Sequence, residues 1–322
     1  MSKTHTTLRT LAASTMIASL SAGAVSAADL VLGVPNWPAA NATSNILKIV
    51  IEDNFGLEVE LQNGTNPIIF EAMDSGSMHL HPEVWLPNQV NLHDKFVNDQ
   101  GSVVMNENPV QAEQGMCVTT ATVEQYDIRS IEDLTDPDKM AIFDKDGDGT
   151  PDVWIGAPGW ASTTIERIRA KSYGYDQTVD LKEYDGTVAW GELGSAAAAG
   201  EPWIGFCYEP HFIFVAYDLT FLDEPAHDPA TWNIIQPTDD PEWLEKSQAS
   251  TAWKGATLHL HYAAAVRDMF PEVAAMLDAY QMPPEVLSRA GYALSVEDQP
   301  VVEFAREWVD ANEEIVLNWL TN

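Results

Sequence analysis

Alternating aspartates between positions 144 and 152 form a pattern that is typical of calcium loops. Calcium takes about six to eight oxygen ligands, and a D-x-D-x-D-G run curls its carboxylates around one ion. The predicted ligands are Asp144, Asp146, Asp148, Thr150 through its backbone carbonyl, and Asp152. The loop has Ile155 where an EF-hand has a bidentate Glu, so any last ligand must come from elsewhere in the fold. The alternative is a solvated acidic turn.

Aromatic residues are the second feature that indicates a binding chemistry, and the chain has 11 tryptophans. Four rings follow strand ends or turns, namely Trp37, Trp85, Trp160 and Tyr208. Ligands of open α/β sheets bind beyond the carboxyl ends of the strands, so we expect these rings to converge on one cleft. Such a box suits a methylated ammonium group, because ring faces attract its positive charge and its methyl groups need apolar walls. A core position for Trp160 is the alternative.

Trp203 is a further candidate for the same box. It precedes Tyr208 by five residues on a predicted strand, so the two side chains face opposite sides unless a bulge intervenes. We keep both as candidate ligand contacts.

The predicted elements alternate between strand and helix, which is typical of an α/β fold with mainly parallel sheets flanked by helices. The alternation begins at Asp29 and restarts at Gly115. Because the chain exceeds the size of one comfortable core, we predict two lobes. Lobe I comprises residues 28–122 and 254–322, and lobe II comprises residues 123–253.

Some predicted elements are less regular. Residues 222–253 are rich in Pro, Asp and Trp and are predicted to form a loop. A helix that ends near Tyr280 is interrupted at Pro271, and one final helix is predicted from Glu297 to Leu320.

Residues 1–27 have the features of a secretory signal peptide. Lys3 and Arg9 precede an apolar run of small residues, and V-S-A at 25–27 resembles a cleavage site. The sequence therefore predicts export to the periplasm. No later apolar stretch is long enough to span a membrane.

The formal net charge of −33 limits the partners of the protein. Nucleic acid and anionic lipid need a basic surface, so neither is expected, whereas cationic ligands are favoured. Adaptation to a saline habitat is a sufficient alternative reason for the charge. Cys117 and Cys207 lie in apolar runs that are predicted to be strands, and the sequence leaves open whether they form a disulfide.

No catalytic motif indicates an enzyme: the sequence lacks G-x-G-x-x-G, a Walker loop, G-x-S-x-G and H-E-x-x-H. We therefore predict ligand binding without chemistry. Alternatives of a different class are a secreted calcium-dependent hydrolase and an extracellular sensor or scaffold.

Three segments resemble the substrate-binding proteins of ABC importers for glycine betaine, proline betaine and choline. F-D-K-D-G-D-G-T-P-D-V followed by A-P-G-W-A-S is similar to the enterobacterial glycine betaine binder. P-E-V-W-L-P-N is similar to the first-lobe Trp motif, and G-E-P-W-I-G-F-C-Y-E-P-H to the third aromatic segment, with Tyr208 where a Trp is usual. Trp37 matches an aromatic residue of the choline and Gram-positive betaine branches. The resemblance implies a type II periplasmic binding fold, in which two lobes close on a ligand in the cleft between them. It also implies that the protein docks on an inner-membrane ABC permease. We expect a monomer.

Two departures from the family bear on the ligand. Gln89 stands where the glycine betaine binder has a carboxylate-holding His, and Ala39 stands where choline binders have an acidic residue. A ligand with a small polar end is therefore favoured, and trimethylamine N-oxide is the first candidate; glycine betaine and choline are the alternatives. Glu83, or else Glu113, is expected to contact the N-oxide oxygen directly if protonated and through water otherwise. For Glu83, a solvated strand end is the alternative.

Overall fold

The computed structural model describes residues 28–321. The predicted signal peptide, residues 1–27, lies outside the described residues. Among the helices of residues 28–321, none combines the length and the apolar character that a membrane crossing requires.

The strands are numbered in chain order. They are β1 (Leu30–Val34), β2 (Val59–Asn63), β3 (Leu80–Leu86), β4 (Val103–Met105), β5 (Val110–Thr119), β6 (Asp152–Gly156), β7 (Asp180–Glu183), β8 (Ile204–Glu209), β9 (Leu219–Phe221), β10 (Trp232–Asn233), β11 (Gln248–Ala249) and β12 (Ala256–Ala263).

The α-helices flank these strands. They are α1 (Pro38–Phe55), α2 (Asn66–Ser75), α3 (Val90–His93), α4 (Thr120–Tyr126), α5 (Pro137–Met140), α6 (Ala161–Tyr173), α7 (Gly186–Ala199), α8 (Ile213–Ala216), α9 (Trp243–Lys246), α10 (Val266–Met269), α11 (Pro271–Ala279), α12 (Pro284–Ser295), α13 (Val301–Ala311) and α14 (Glu313–Thr321). A π-helical turn covers Asp94–Asp99, and 3₁₀ turns cover Ile131–Thr135, Ala141–Phe143, Tyr175–Gln177 and Pro229–Thr231.

One sheet runs through both lobes in the strand order β2-β1-β3-β12-β5-β8-β6-β7. Strands β2, β1 and β3 are parallel at one end, and β8, β6 and β7 are parallel at the other. Strand β5 joins the two groups, because residues 110–112 pair antiparallel with β12 and residues 113–118 pair antiparallel with β8. The α/β class is confirmed, with parallel strands at both ends of the sheet and antiparallel pairs in the middle.

Helix α1 shows why the site elements form where they do. Pro38 opens the helix directly after Trp37, where a missing backbone N–H costs nothing, and Gly56 closes it in the left-handed conformation with φ 66°. The helix lies in lobe I and packs against α12 and α13. It therefore holds the end of β1, and with it Trp37, against the body of the lobe.

The C-terminal helix prediction is wrong in its length. Instead of one helix from Glu297 to Leu320, α13 and α14 are separated at Asn312, and α12 precedes them. The break occurs at a residue outside the helical region, Asn312 with φ −123° and ψ 38°, without a Gly or Pro to mark it. The predicted interruption at Pro271 is confirmed, since α10 ends just before it and α11 begins there.

Cys117 and Cys207 form a disulfide, which resolves the alternative that the sequence left open. The two residues lie on neighbouring antiparallel strands, β5 and β8, with their Cα atoms 5.8 Å apart. The bond links two residues that are 90 positions apart in the sequence. One of them, Cys207, lies on β8 directly before Tyr208.

Candidate functional site

The four predicted rings lie together around one cavity. Trp37, Trp85, Trp160 and Tyr208 all line it, and each side chain is only 7–8% exposed. The ring centroid of Tyr208 lies 5.2 Å from that of Trp85 and 5.8 Å from that of Trp160, with interplanar angles of 82° and 81°. Trp85 and Trp160 thus each lie edge to face with Tyr208, and Trp37 completes the aromatic lining.

Trp203 does not lie with these rings. Its side chain is 1% exposed, and it packs on Trp190, with ring centroids 6.3 Å apart, outside the cavity lining. Side chains alternate along a strand, so an odd spacing from Tyr208 directs Trp203 to the opposite face of β8. The even spacing brings Phe206 into the lining instead. Sequence reasoning missed Phe206, although its position two residues before Tyr208 was the available signal.

The turn that carries Trp160 is fixed by contacts to α6. The Thr163 hydroxyl donates to the carbonyl oxygen of Ala157 at 2.7 Å. Gly156 has φ 129°, and a Cβ there would come within 2.3 Å of Thr163 Oγ1, so the turn requires glycine. Trp160 Nε1 then donates across the cleft to Asn36 Oδ1 of lobe I at 3.1 Å.

Glu83 lies behind the cavity and not in its lining. Its carboxylate accepts hydrogen bonds from Trp37 Nε1 at 2.7 Å and from the Thr43 hydroxyl at 2.8 Å. Burial raises the pKa of Glu83 to about 7, although both hydrogen bonds act in the opposite direction. In the structure the carboxylate holds Trp37, one of the predicted rings, and the expected contact of Glu83 with a ligand stays a prediction.

Amide side chains supply the polar part of the lining. Asn88 and Gln114 hydrogen-bond each other reciprocally, with N···O distances of 2.9 and 2.7 Å. Gln89 lines the cavity as expected, and its buried Oε1 has no hydrogen-bond partner among the described residues. Asn66 also lines the cavity and bonds His81 Nε2 through Oδ1 at 3.0 Å. Sequence reasoning missed Asn66, Asn88 and Gln114, because no motif marks a lone amide.

The first turn of α6 completes the lining with Ala161 and Ser162. Trp160 occupies the N-cap without a side-chain cap, so the first N–H groups of the helix are available to an acceptor near the cavity. No Asp, Glu, His, Lys or Arg side chain lines the cavity within the described part of the chain. Glu113, the alternative to Glu83, is exposed on β5 opposite Glu209 and lies outside the lining. The enclosed space therefore combines aromatic walls with neutral hydrogen-bonding groups.

The aspartate loop forms a compact acidic cluster on the surface of lobe II. Carboxylate oxygens of Asp144, Asp146 and Asp148 lie within 4.8 Å of one another. Asp144 accepts backbone hydrogen bonds from Gly147 and Gly149 at 2.9 and 3.0 Å, which curls the loop around its own carboxylates.

The other two predicted cation ligands, Asp152 and Thr150, do not belong to this cluster of three aspartates. Asp152 begins β6 and pairs with Lys182 Nζ at 3.0 Å. Thr150 donates its backbone N–H to Asp148 at 2.8 Å. This bond does not involve the backbone carbonyl of Thr150, which is the predicted ligand. The three alternating aspartates are thus grouped as a cation site requires, whereas Asp152 already has a cationic partner.

Residues 28–311 match the model of a family described as the substrate-binding domain of the ABC-type glycine betaine transport system. Among curated proteins, the glycine betaine/proline betaine-binding periplasmic protein of Salmonella typhimurium is 28% identical over 102 residues, which are 32% of this chain and 31% of that protein. The Escherichia coli protein of the same description is 23% identical over 144 residues, 45% of this chain and 44% of its own length. The matched segments span less than half the length of these relatives.

Solved structures match over most of the chain. The glycine betaine/L-proline-binding protein of Borrelia burgdorferi gives a TM-score of 0.69 at 19% identity and covers 91% of this chain and 97% of its own. A lactococcal protein in a closed complex with glycine betaine gives 0.68 at 18% identity, covering 91% and 99%. A choline-binding protein in complex with choline gives 0.70 at 15% identity, covering 91% of each chain. At these identities the likeness shows the fold, and the predicted type II periplasmic binding fold is confirmed.

Proposed function

The chain belongs to the family of substrate-binding domains of ABC-type glycine betaine transport systems, and on this basis we propose that it binds a methylated ammonium osmolyte for an ABC importer. The observation that carries the proposal is the convergence of Trp37, Trp85, Trp160 and Tyr208 on one cavity that no charged side chain of the described residues lines. A hydrophilic ligand with hydrogen-bonding groups all round would leave its donors unpaired against these rings. A quaternary head group has no such donors.

Attraction between the rings and the head group supplies the affinity. Each ring contributes about 0.5 to 2 kcal/mol, and more when water is excluded. Because the rings come from both lobes, closure of the lobes desolvates the ammonium group and strengthens the attraction. The protein binds and releases its ligand without altering it.

Trimethylamine N-oxide is the ligand that we favour. Gln89 offers a neutral amide where a charged contact would help to hold a carboxylate, and Ala39 offers no acceptor for a hydroxyl group. The N-oxide oxygen is a single small acceptor, which neutral amides and the α6 N–H groups can satisfy. Glycine betaine and choline are the alternatives, and relatives with those ligands in their names support the same head group.

Calcium is proposed as a structural ion in the aspartate loop. The grouping of Asp144, Asp146 and Asp148 supports it, with Thr150 and Asp152 as further candidate ligands. The loop leads into β6, and the turn with Trp160 follows that strand. An ion there would stabilise lobe II and play no part in ligand chemistry.

The partners and location follow from the same proposal. We place the protein in the periplasm, as a monomer that delivers ligand to an inner-membrane permease. The names of the curated relatives and the Cys117–Cys207 disulfide support an oxidising compartment outside the cytoplasm.

Calorimetric titration tests the ligand class. Trimethylamine N-oxide, glycine betaine and choline are compared with tert-butanol and 3,3-dimethylbutan-1-ol, in which carbon replaces the ammonium nitrogen of trimethylamine N-oxide and choline. We expect the methylated ammonium compounds to bind and the carbon analogues to bind at least about tenfold more weakly, because they keep the shape and lose the charge. Equal binding of both sets, or binding of neither, would overturn the proposal.

A further inference from the structure

Strand β3 directs three polar or aromatic side chains toward the site at alternate positions. His81, Glu83 and Trp85 share one face of the strand because side chains repeat every second residue. Trp85 lines the cavity itself, and Glu83 holds Trp37 from behind. His81 has no assigned role, although it is completely buried and hydrogen-bonded on both ring nitrogens.

The contacts of His81 determine where its proton lies. Its Nδ1 accepts the backbone N–H of Glu83 at 3.3 Å, so Nδ1 carries no hydrogen. Burial lowers the pKa of His81 to about 3, so the ring is neutral at pH 7. The single ring proton must therefore be on Nε2. His81 is consequently a donor toward Asn66 Oδ1, 3.0 Å away.

That hydrogen bond fixes the orientation of the Asn66 amide. With Oδ1 held by the Nε2–H of His81, a reversed amide would place two donors against each other. The Nδ2 group is thus the end that remains for the cavity, and it has no hydrogen-bond partner among residues 28–321. Asn66 is 3% exposed, so a ligand is better placed than bulk solvent to satisfy its donor.

The other amides of the lining differ from Asn66 in this respect. Asn88 and Gln114 each commit one N–H and the carbonyl oxygen to the other. No hydrogen bond to the side chain of Gln89 fixes its orientation within the described residues. Asn66 and Gln89 lie at the same end of the cavity, because both also line the outer cleft next to Trp160. Asn66 is therefore an amide that is held in one orientation through its oxygen alone, with its Nδ2 group uncommitted, and Gln89 is the one that can adapt.

We propose that His81 is a positioning residue that presets Asn66 as a hydrogen-bond donor to the polar end of the ligand. The site then selects methylated ammonium compounds whose polar end is a strong acceptor, an N-oxide or a carboxylate, over those that end in a hydroxyl donor. This inference rests on the proposed function and adds the basis of selectivity within the ligand class.

The test compares three ligands on the intact protein by calorimetric titration: trimethylamine N-oxide, choline, and tetramethylammonium, which has no polar end. In Asn66→Asp, an acceptor replaces the donor while the bond from His81 is retained. We expect the ratio of N-oxide to tetramethylammonium affinity to fall at least about tenfold, as the loss of a hydrogen bond to a charged acceptor implies. Choline should gain relative to the N-oxide. Asn233→Asp, on β10 and outside the lining, controls for the change in net charge, and Asn66→Ala removes the donor without placing a charge at the cavity.

A second pair of variants isolates His81. His81→Leu removes the donor and frees the Asn66 amide to reverse, so the ratio of N-oxide to choline affinity should move toward one. His81→Gln can still donate and should restore the wild-type ratio, which a purely structural role in packing would not predict.

The outcomes separate this inference from the proposed function. If wild type binds all three ligands and folded Asn66→Asp and Asn66→Ala keep the wild-type ratios within about twofold, the inference is overturned while the function stands. If wild type binds none of the three ligands, both are overturned.

Discussion

The indole nitrogen of Trp37 donates a 2.7 Å hydrogen bond to Glu83 Oε2, so a buried carboxylate fixes the first ring of the box. The Thr43 hydroxyl occupies the other oxygen at 2.8 Å. Trp37, which precedes α1, and Thr43, which lies in α1, thus both donate to the Glu83 carboxylate on β3. The carboxylate also lies near enough to Tyr208 for its charge to raise the pKa of that phenol further, beyond the effect of burial. Above pH about 7, where it is ionised, Glu83 therefore places negative charge behind the cavity without entering it.

The stability of the protein should depend on pH through Glu83. Burial raises its pKa in the folded state from 4.5 to about 7, so the folded protein retains a proton that the unfolded chain loses between these values. The contribution of Glu83 to stability is full below pH 4.5 and is lost as pH rises to about 7. Relative to Glu83→Gln, wild type should lose about 3 kcal/mol of unfolding free energy across this range.

Urea unfolding of wild type and Glu83→Gln at pH 5 and pH 8 measures this effect. Subtracting the unfolding free energy of one protein from that of the other cancels the contributions of the other titrating groups, because both proteins contain them. A difference in unfolding free energy that is the same at both pH values would show that Glu83 does not titrate in this range.

Removal of a single ring of the box should weaken ligand binding more than removal of a ring that lies outside the box. Trp85→Ala and Trp160→Ala each lose a ring face, and we expect about 2- to 30-fold weaker binding from the cation–π share alone. Tyr208→Phe keeps the face and should retain most of the affinity. Calorimetric titration with trimethylamine N-oxide measures each value.

Trp203 provides the matched comparison. Trp203→Ala makes the same change as Trp85→Ala in a ring that lies outside the cavity lining. It should lower the melting temperature while leaving the affinity close to that of wild type. Equal losses of affinity in the two variants would contradict the assignment of the box.

The sequence was sufficient to predict the four rings that line the cavity, but it was insufficient to decide whether Trp203 joins them. Trp37, Trp85, Trp160 and Tyr208 each follow a recognisable strand or turn, and the carboxyl ends of neighbouring strands meet at one edge. Trp203 was uncertain because its odd spacing from Tyr208 directs it to the opposite face only if no bulge intervenes, and the sequence does not show bulges.

Contacts between distant segments could not be predicted. Asn88 and Gln114 are 26 residues apart and meet only because β3 and β5 lie on either side of β12. The alternation of β3 placed Glu83 on the same face as Trp85, but nothing in the sequence showed that Trp37 and Thr43 would cover its carboxylate. The break at Asn312 was missed for a related reason, since packing of α13 and α14 ends the helix where no Gly or Pro does.

Calcium should stabilise the protein through the aspartate loop. Ligand binding to the folded state alone stabilises it by about 2.7 kcal/mol at a free concentration one hundred times the dissociation constant. EGTA should therefore lower the melting temperature, and added calcium should restore it.

Variants of single aspartates identify the ligands. Asp146→Asn should remove the response to EGTA, whereas Asp239→Asn, an exposed Asp outside the loop, should keep it. Asp152→Asn tests whether the residue leaves Lys182 to bind the ion: an unchanged calcium affinity would exclude it as a ligand. A melting temperature that is insensitive to both EGTA and calcium, with no metal bound, would contradict the site.

The hydrogen bond from Trp160 Nε1 to Asn36 Oδ1 should slow ligand release, because it connects lobe II to lobe I across the cleft. Asn36 is exposed, so the bond should contribute about 0.5 to 1.5 kcal/mol, or roughly two- to tenfold in affinity. Asn36→Ala leaves the rings in place and should raise the dissociation rate while changing the association rate little. Asn63→Ala, at an exposed residue that lines the same surface cleft as Asn36, is the matched control. In a double-mutant cycle measured by stopped-flow fluorescence, Asn36→Ala should have no further effect in Trp160→Phe, which lacks the indole N–H; additive effects would show that the two side chains act independently.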